Sequence, residues 1–242
     1  MTILSLCLSN EEFNKMKKYL AILMIAVSVI ILNSCREEPA KPDDNDNNTE
    51  KVPPEDTVYA TLEIWVDGLG DTVYSVALNK LPFSFARFSQ VLEYTGGHPA
   101  GAAANFLMAL KIYQQYKGEG IKALVSSISE ESLLSSSGTE SYNGLTLQTG
   151  DFSIIKSSLG NYPALTTAYV RGATPENSYA PQGPPYYYDF KFDNNNTDIS
   201  KGMARIYVLT KGADSNRPIT IIWDGDGKWR AKYWSSLLAG LK

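Results

Sequence analysis

The last third of the chain holds five short runs: TTAYV, YYYDFKF, ARIYVLT, PITIIW and KWRAKYW. Each is dense in β-branched and aromatic residues, and turn formers separate each run from the next. That pattern predicts short strands. It constrains the fold more than any other feature, because a carboxyl third of this kind builds an antiparallel sheet. Between the last two runs lies Asp224-Gly225-Asp226-Gly227, flanked by Trp223 and Trp229. Asp-Gly between two strands is a hairpin turn. The rival reading, a fragment of a calcium loop, lacks the remaining loop residues and the closing Glu.

The amino half of the domain opens with a second strand signal. In ATLEIWVDG, Leu62, Ile64 and Val66 alternate with Thr61, Glu63 and Trp65, the period of a half-buried strand. Asp67 to Gly70 supplies a turn, and TVYSVAL (Thr72 to Leu78) returns as the partner of a hairpin. Leu81 to Thr95 fits either a strand or a short helix. Gly96-Gly97-His98-Pro99 then breaks the chain, with Pro99 suited to a first helical turn. Ala103, Phe106, Leu107, Leu110 and Tyr113 follow at helical spacing, a stripe that faces a core. Lys117 to Gly120 is expected to end that helix and Ile121 to Ile128 to form a short second one. The serine-rich SEESLLSSSGTESYNG reads as a mobile loop. Thr149 is placed to cap a helix over Asp151 to Leu159, with Phe152, Ile155 and Leu159 on one side. The expected fold is α+β, a single domain over residues 57–242 whose amino-half helices pack on an antiparallel sheet formed largely by the carboxyl half. Such an order resembles cystatin-like or NTF2-like helix-on-sheet folds, a likeness that carries no activity.

The other end of the chain speaks to location. Met16-Lys17-Lys18 precedes the uncharged run Tyr19 to Leu32, shorter than the about 20 residues a spanning helix needs. A basic flank and a short apolar run predict a cleaved signal peptide over residues 16–34. The run ends in Leu32-Asn33-Ser34-Cys35, which resembles a bacterial lipobox. That resemblance implies a diacylglycerol thioether on Cys35 and an acyl chain on its new amino group, and more than one chain gives stable anchoring. Residues 1–15, with Glu11 and Glu12, suit such a signal poorly and read as an upstream extension with translation starting at Met16. Cys7 then falls away and Cys35 is the one remaining cysteine, so no disulfide is expected. Residues 35–56 are rich in Pro, Asn, Asp and Glu, and predict a disordered acidic tether. Arg36-Glu37-Glu38, directly after the cysteine, resembles the surface-export signal of Bacteroidota lipoproteins; the alternative is a solvated charged linker. Asp56-Thr57-Val58 and Asp71-Thr72-Val73 fit the short O-glycosylation pattern of the same group.

Charge and residue inventory narrow the chemistry. The formal net charge is −4, most of it in the tether, and no basic stripe runs along the body, which argues against nucleic acid as a partner. The chain has a single histidine, His98, at a helix start, so a Ser-His-Asp triad would have to use it. No G-x-S-x-G elbow and no phosphate-binding glycine motif is present. One histidine and one lipidated cysteine build no metal site, and no cofactor is expected. Glu63, Glu93, Glu176 and Asp189 remain as carboxylates that a fold could bring together as an acid–base pair. Tyr179, Tyr186, Tyr187, Tyr188, Trp223, Trp229, Tyr233 and Trp234 supply either a binding surface or core and cross-strand pairs.

Three stretches of the carboxyl third, GATPENSYAP (Gly172 to Pro181), GADSNRPITI (Gly212 to Ile221) and KWRAKYWSSLLAGL (Lys228 to Leu241), together resemble an uncharacterised bacterial domain family. Asn216, Trp234 and the serine-rich insert depart from its pattern. The resemblance implies a shared fold and assigns no activity. Physically, Pro175 and Asn177 are turn formers, Asp214 and Arg217 are spaced to pair across a tight loop, and Ser235 and Ser236 are placed to cap a short helix over Leu237 to Leu241. The functional alternative is a ligand site built from Arg171, Glu176, Tyr179, Asp214 and Arg217. The expected function is that of an outer-membrane lipoprotein displayed at the cell surface, or facing the periplasm. It would be a non-catalytic binding or assembly domain for a glycan or an envelope protein, with a carboxylate-dependent envelope hydrolase as the alternative.

Overall fold

The computed structural model describes residues 56–241. The expected extension, signal peptide, Cys35 and nearly all of the tether lie outside the described residues. A hairpin of β1 (Ala60–Val66) and β2 (Thr72–Leu78) leads into three helices: α1 (Phe85–Thr95), α2 (Pro99–Gln115) and α3 (Lys117–Ser127). A ribbon of β3 (Leu133–Ser135) and β4 (Leu145–Leu147) and a helix α4 (Thr149–Asn161) follow. The chain then runs through β5 (Tyr186–Phe192), β6 (Met203–Val208), β7 (Arg217–Asp224) and β8 (Lys228–Tyr233). Six strands form one antiparallel sheet in the order β1-β2-β5-β6-β7-β8. The carboxyl half thus supplies a four-strand meander, and the amino-terminal hairpin pairs with its first strand. Helices cover one face, so the architecture is α+β.

Period-two burial sets the covered face. Val76, Leu78, Tyr188, Phe190, Ile206, Val208, Ile219, Ile221 and Ala231 point to the helices and are buried. Against them lies α2, buried on nearly its whole circumference from Pro99 to Leu110 and again at Ile112 and Tyr113. The expected stripe is therefore only a fraction of its buried surface. A helix that is apolar on all sides belongs in the middle of a fold, and here α1 and α3 close it off from solvent. Ser84 caps α1 by accepting from the Arg87 N–H. Phe88, Val91, Leu92 and Thr95 then fall on one face, which settles the ambiguous stretch as helix.

Several expectations are corrected. Lys117 to Gly120 does not end a helix; it opens α3, and only Tyr116 separates α3 from α2. The serine-rich stretch is not a loop throughout, since Leu133–Ser135 pairs with Leu145–Leu147. Thr149 is the first residue of α4 and not its cap, although Phe152, Ile155 and Leu159 are buried as expected. TTAYV is turn, and only Val170 bridges to a strand, at Tyr188. The alternation in β1 marks no buried face: β1 is the sheet edge, and Leu62, Ile64, Trp65 and Val66 are all exposed. Ser235 and Ser236 cap no helix; Ser235–Leu238 is a single 3-10 turn without a side-chain cap, and the Ser236 hydroxyl donates to the Pro218 carbonyl. Trp234 is buried against Phe106, with ring centroids 5.1 Å apart, and Trp229 and Tyr188 are buried too, so these aromatics serve the core. Asp224–Lys228 closes the last hairpin, with Gly227 at a left-handed φ of 88° and the Asp224 and Asp226 carboxylates both accepting from Arg230.

The tightest packing is where α3 crosses α2. A Cβ at Gly120 would lie 2.0 Å from Tyr113 Cα, whereas one at Gly118 would meet nothing within 4 Å. Gly120→Ala must push two helix backbones apart, which should lower unfolding free energy by about 1–3 kcal/mol. Gly118→Ala, two residues away, should be neutral or stabilising by up to about 1 kcal/mol through helix propensity alone. Chemical denaturation of the two variants is expected to show opposite signs; destabilisation of equal size in both would refute the close crossing.

Candidate functional site

The uncovered face of the sheet carries the most elaborate polar arrangement among the described residues. Ser75 on β2 and Asp189 on β5 stand directly opposite each other and point away from the helices. Beside β5, Val170 and Arg171 take the place β6 would hold: Val170 bridges Tyr188, and the Arg171 N–H donates to the Tyr187 carbonyl at 2.8 Å. The Arg171 side chain therefore lies over this face. Its Nε donates to Asp189 Oδ2 at 2.7 Å, and its Nη2 donates to Asp189 Oδ1 at 2.6 Å and to Ser75 Oγ at 3.0 Å. Ser75 directs its own proton to Asp189 Oδ1 at 2.6 Å and accepts from Trp65 Nε1 at 2.9 Å. The guanidinium carbon sits 4.0 Å from the Tyr187 ring centroid and 5.8 Å from that of Trp65. Two flat rings thus flank a bidentate ion pair, a geometry only arginine supplies. The Asp189 hydrogen bonds hold the Arg171 pKa above its ordinary value. Asp189 is 8% exposed, whereas the Trp65 side of the cluster is open to solvent.

The expected site residues separate. Glu176 and Asp214 do come together: the two motif loops line one cavity of about 640 Å³ with Thr174, Lys211, Ser215 and Asn216. The first loop is tied by Asn177, which accepts from the Thr174 N–H at 2.8 Å and donates to the Gly172 carbonyl at 2.7 Å. Ser178 and Tyr179 follow at φ of 55° and 57°, a left-handed conformation costly for a bulky residue. Tyr179 supports the site without lining that cavity. Its ring lies where a Cβ on Gly212 would come within 3.0 Å of it, so Gly212 of the second motif makes room for Tyr179 of the first. Arg171 borders the neighbouring cavity of about 300 Å³, which shares Thr210, Lys211 and Asn216 with the first. Arg217 faces elsewhere: its Nη2 reaches the Gly240 carbonyl at 3.4 Å, and it lines neither cavity. Of the four carboxylates, Glu63 and Asp189 share a cavity; Glu93 pairs with Lys228 at 3.2 Å.

A family described as a domain of unknown function, DUF6935, matches residues 80–242. The chain belongs to this family. No curated protein and no solved structure matches the chain. All three motif stretches, together with Arg171 and Asp189, lie inside the DUF6935 region, whereas Trp65 and Ser75 come from the hairpin that precedes it. The cluster on the open face is thus assembled from both.

One residue of the DUF6935 region has a role that the sequence alone does not reveal. His98 caps α2: its Nδ1 accepts from the Ala100 N–H at 3.1 Å. Its ring stacks on Tyr74 at 5.4 Å and meets Phe192 edge-on at 6.1 Å. The chain break at Gly96-Gly97 and Pro99 signals a helix start, and a histidine cap only needs its unprotonated nitrogen to accept as an Asn would. Burial pushes the His98 pKa below its ordinary value. Protonation would also destroy the cap and place a cation at a helix amino terminus. His98 lines a cavity with Asp71 and Lys191, which pair with each other.

A folded-state pKa below the unfolded value means that the unfolded chain binds the proton more readily. The stability tied to His98 is therefore complete above about pH 6.5 and falls as pH drops through the window down to the lowered folded pKa. Because this is the only histidine in the chain, the midpoint of thermal unfolding should fall as pH drops below about 6.5 in the wild type. In His98→Asn, which keeps a capping acceptor, that fall should vanish. The same slope in both proteins would show that His98 is not buried in neutral form.

Proposed function

We propose that this chain is a lipid-anchored, non-catalytic binding or assembly domain, displayed on the outer membrane at the cell surface, with a periplasm-facing location as the second reading. The lipobox-like Leu32 to Cys35 and the following Arg36-Glu37-Glu38 support the location. A flexible tether of about 20 residues would hold the domain roughly 25 Å from the lipid, enough to reach a glycan or an envelope protein beside the anchor.

The observation that carries the binding reading is the open sheet face with Trp65 and Tyr187 either side of Arg171. Trp65 is 41% exposed and hydrogen-bonded in place, so its ring is presented at little entropic cost. Flat, pre-oriented aromatics beside a fixed charge suit stacking against a sugar ring or a partner side chain. The hydrolase alternative finds less support. A carboxylate pair needs one group able to give a proton and another free to act on water or sugar. Both Asp189 oxygens already accept from Arg171, and one accepts from Ser75 as well.

Cys35→Ser should abolish acyl labelling and move the chain from the detergent phase to the aqueous phase; identical partitioning of variant and wild type would sink the anchor. For the binding role, the full chain in detergent is applied to a glycan array and to solubilised envelope. Trp65→Ala and Tyr187→Ala should each weaken specific capture by about tenfold, the loss of one stacking contact. Turnover of an envelope polymer that disappears in Glu63→Gln or Asp189→Asn would overturn the non-catalytic reading.

A further inference from the structure

A second site lies on the other side of the Lys191–Asp71 pair from the Arg171 cluster. It is a cavity of about 750 Å³ where the β1–β2 turn, the start of α2 and the segment after β5 converge. That volume falls within the range of small-molecule sites. Tyr74, Phe192, Tyr207 and Trp229 supply its aromatic wall. Tyr74 and Phe192 are locked edge to face at 4.7 Å, and His98 completes a three-ring cluster with them. These rings are fixed by mutual contact and present faces and edges that need no reordering on binding.

The polar groups are equally selective. Lys191 donates to Asp67 at 2.6 Å and to Asp71 at 2.8 Å, so both charged lining residues, Asp71 and Lys191, are already paired, and the three groups together carry one net negative charge. Thr197 is committed to the Arg205 backbone, and the Tyr207 hydroxyl reaches Asp193 at 3.3 Å. The uncharged groups left for a ligand include His98 and Asn194, beside the Thr72 and Tyr74 hydroxyls. With Nδ1 held by the Ala100 N–H, neutral His98 carries its proton on Nε2, which has no partner among the described residues. Asn194, exposed on the rim, offers an amide with one donor face and one acceptor face.

Aromatic walls, a lysine already held by two aspartates and uncharged hydrogen-bonding groups disfavour an anionic ligand, which would have to break the Lys191–Asp71 pair or stay unmatched. They suit a ring whose faces are apolar and whose rim carries hydroxyls. We infer that this cavity is a binding site for a short, uncharged saccharide. One sugar ring lies against Phe192, and its hydroxyl or acetamido oxygen accepts from His98 Nε2–H while Asn194 holds a second hydroxyl. The inference concerns a site separate from the open sheet face and does not depend on the reading of that face.

The single histidine gives a clean reporter, because the chain has one imidazole signal in a carbon–proton correlation spectrum. The full chain in detergent is titrated with maltotriose, cellotriose and N,N′-diacetylchitobiose, with trigalacturonate and adenosine as charged and planar controls, up to tens of millimolar. At least one neutral saccharide should shift the imidazole signal saturably. Calorimetry should then show about a tenfold loss of affinity in Asn194→Ala and in His98→Asn, one hydrogen bond each. Asn194 is exposed, so Asn194→Ala keeps the fold. Trp65→Ala and Tyr187→Ala should leave the titration unchanged, so failure here and failure of the open-face site are told apart. The inference is overturned by no shift with any neutral saccharide, by saturable binding of trigalacturonate or adenosine alone, or by unchanged affinity in both Asn194→Ala and His98→Asn.

Discussion

Burying α2 on all sides is the constraint from which the rest of this structure follows. PAGAAANFLMALKIY leaves almost no polar face to turn to water, so the helix has to be enclosed. The sheet covers one side, and α1 and α3 cover the others. Small residues make the enclosure close. A Cβ at Gly101 would lie 2.1 Å from the Thr95 carbonyl oxygen, and Gly120 makes the matching approach to Tyr113. At the Gly101 crossing the buried Thr95 hydroxyl lies 2.8 Å from Asn105 Oδ1, one of few polar contacts in the core. These three helices all serve this enclosure, and among the described residues the other face of the sheet has no helical layer.

That asymmetry explains why the polar network stands where it does. Strand residues alternate faces, so a strand that sends Val76 or Phe190 inward must send Ser75 or Asp189 outward. The outward groups are then sealed by a single short segment, Val170–Arg171, and by Trp65 from the edge strand. An ion pair in that position is half in water. Its net worth is modest compared with that of a deeply buried pair, but its geometry is fixed by five hydrogen bonds shared among four residues. Pre-organisation of a surface, more than stability, is what such an arrangement provides.

The sequence made β2 and β5–β8 legible because their β-branched and aromatic runs are bounded by turn formers. The start of α2 was legible too, because Gly-Gly-His-Pro has few other uses. What stayed hidden had specific physical causes. Alternation in β1 is the same whether a strand is central or at an edge, so the exposure of Ile64 and Val66 depends on where the strand falls in the sheet. Gly118 and Gly120 look like a helix stop, yet one of them is required inside a helix by a neighbour several residues away. Trp65 and Trp234 are indistinguishable by type; one lies on the edge strand over Arg171 and the other under Phe106. Among the expected site residues, Glu176 and Asp214 were joined by loop motifs that fold onto each other, and Arg171 belongs next door. Arg217 was drawn away because the start of β7 points its side chain toward the chain's carboxyl end.

The hairpin before residue 80 lies outside the family match but inside the fold. Val76 and Leu78 are buried in the same core as α2, and β2 provides the hydrogen-bonding edge for the first five residues of β5. Removing the hairpin would uncover Tyr188 and Phe190 on one side and strip Asp189 of Ser75 on the other. Lys191 would lose both aspartates that balance it. A charge left half-buried without its partner costs more than the pair contributed, so the segment that begins at residue 80 carries groups whose chemistry is completed only by residues before it. The open-face cluster and the His98 cavity both straddle this seam, through Ser75 and Trp65 in one case and Tyr74 and Asp71 in the other. The hairpin sits at the sheet edge with its outer strand exposed, so β2 is held by the core while β1 and its turn contribute through Trp65, Asp67 and Asp71.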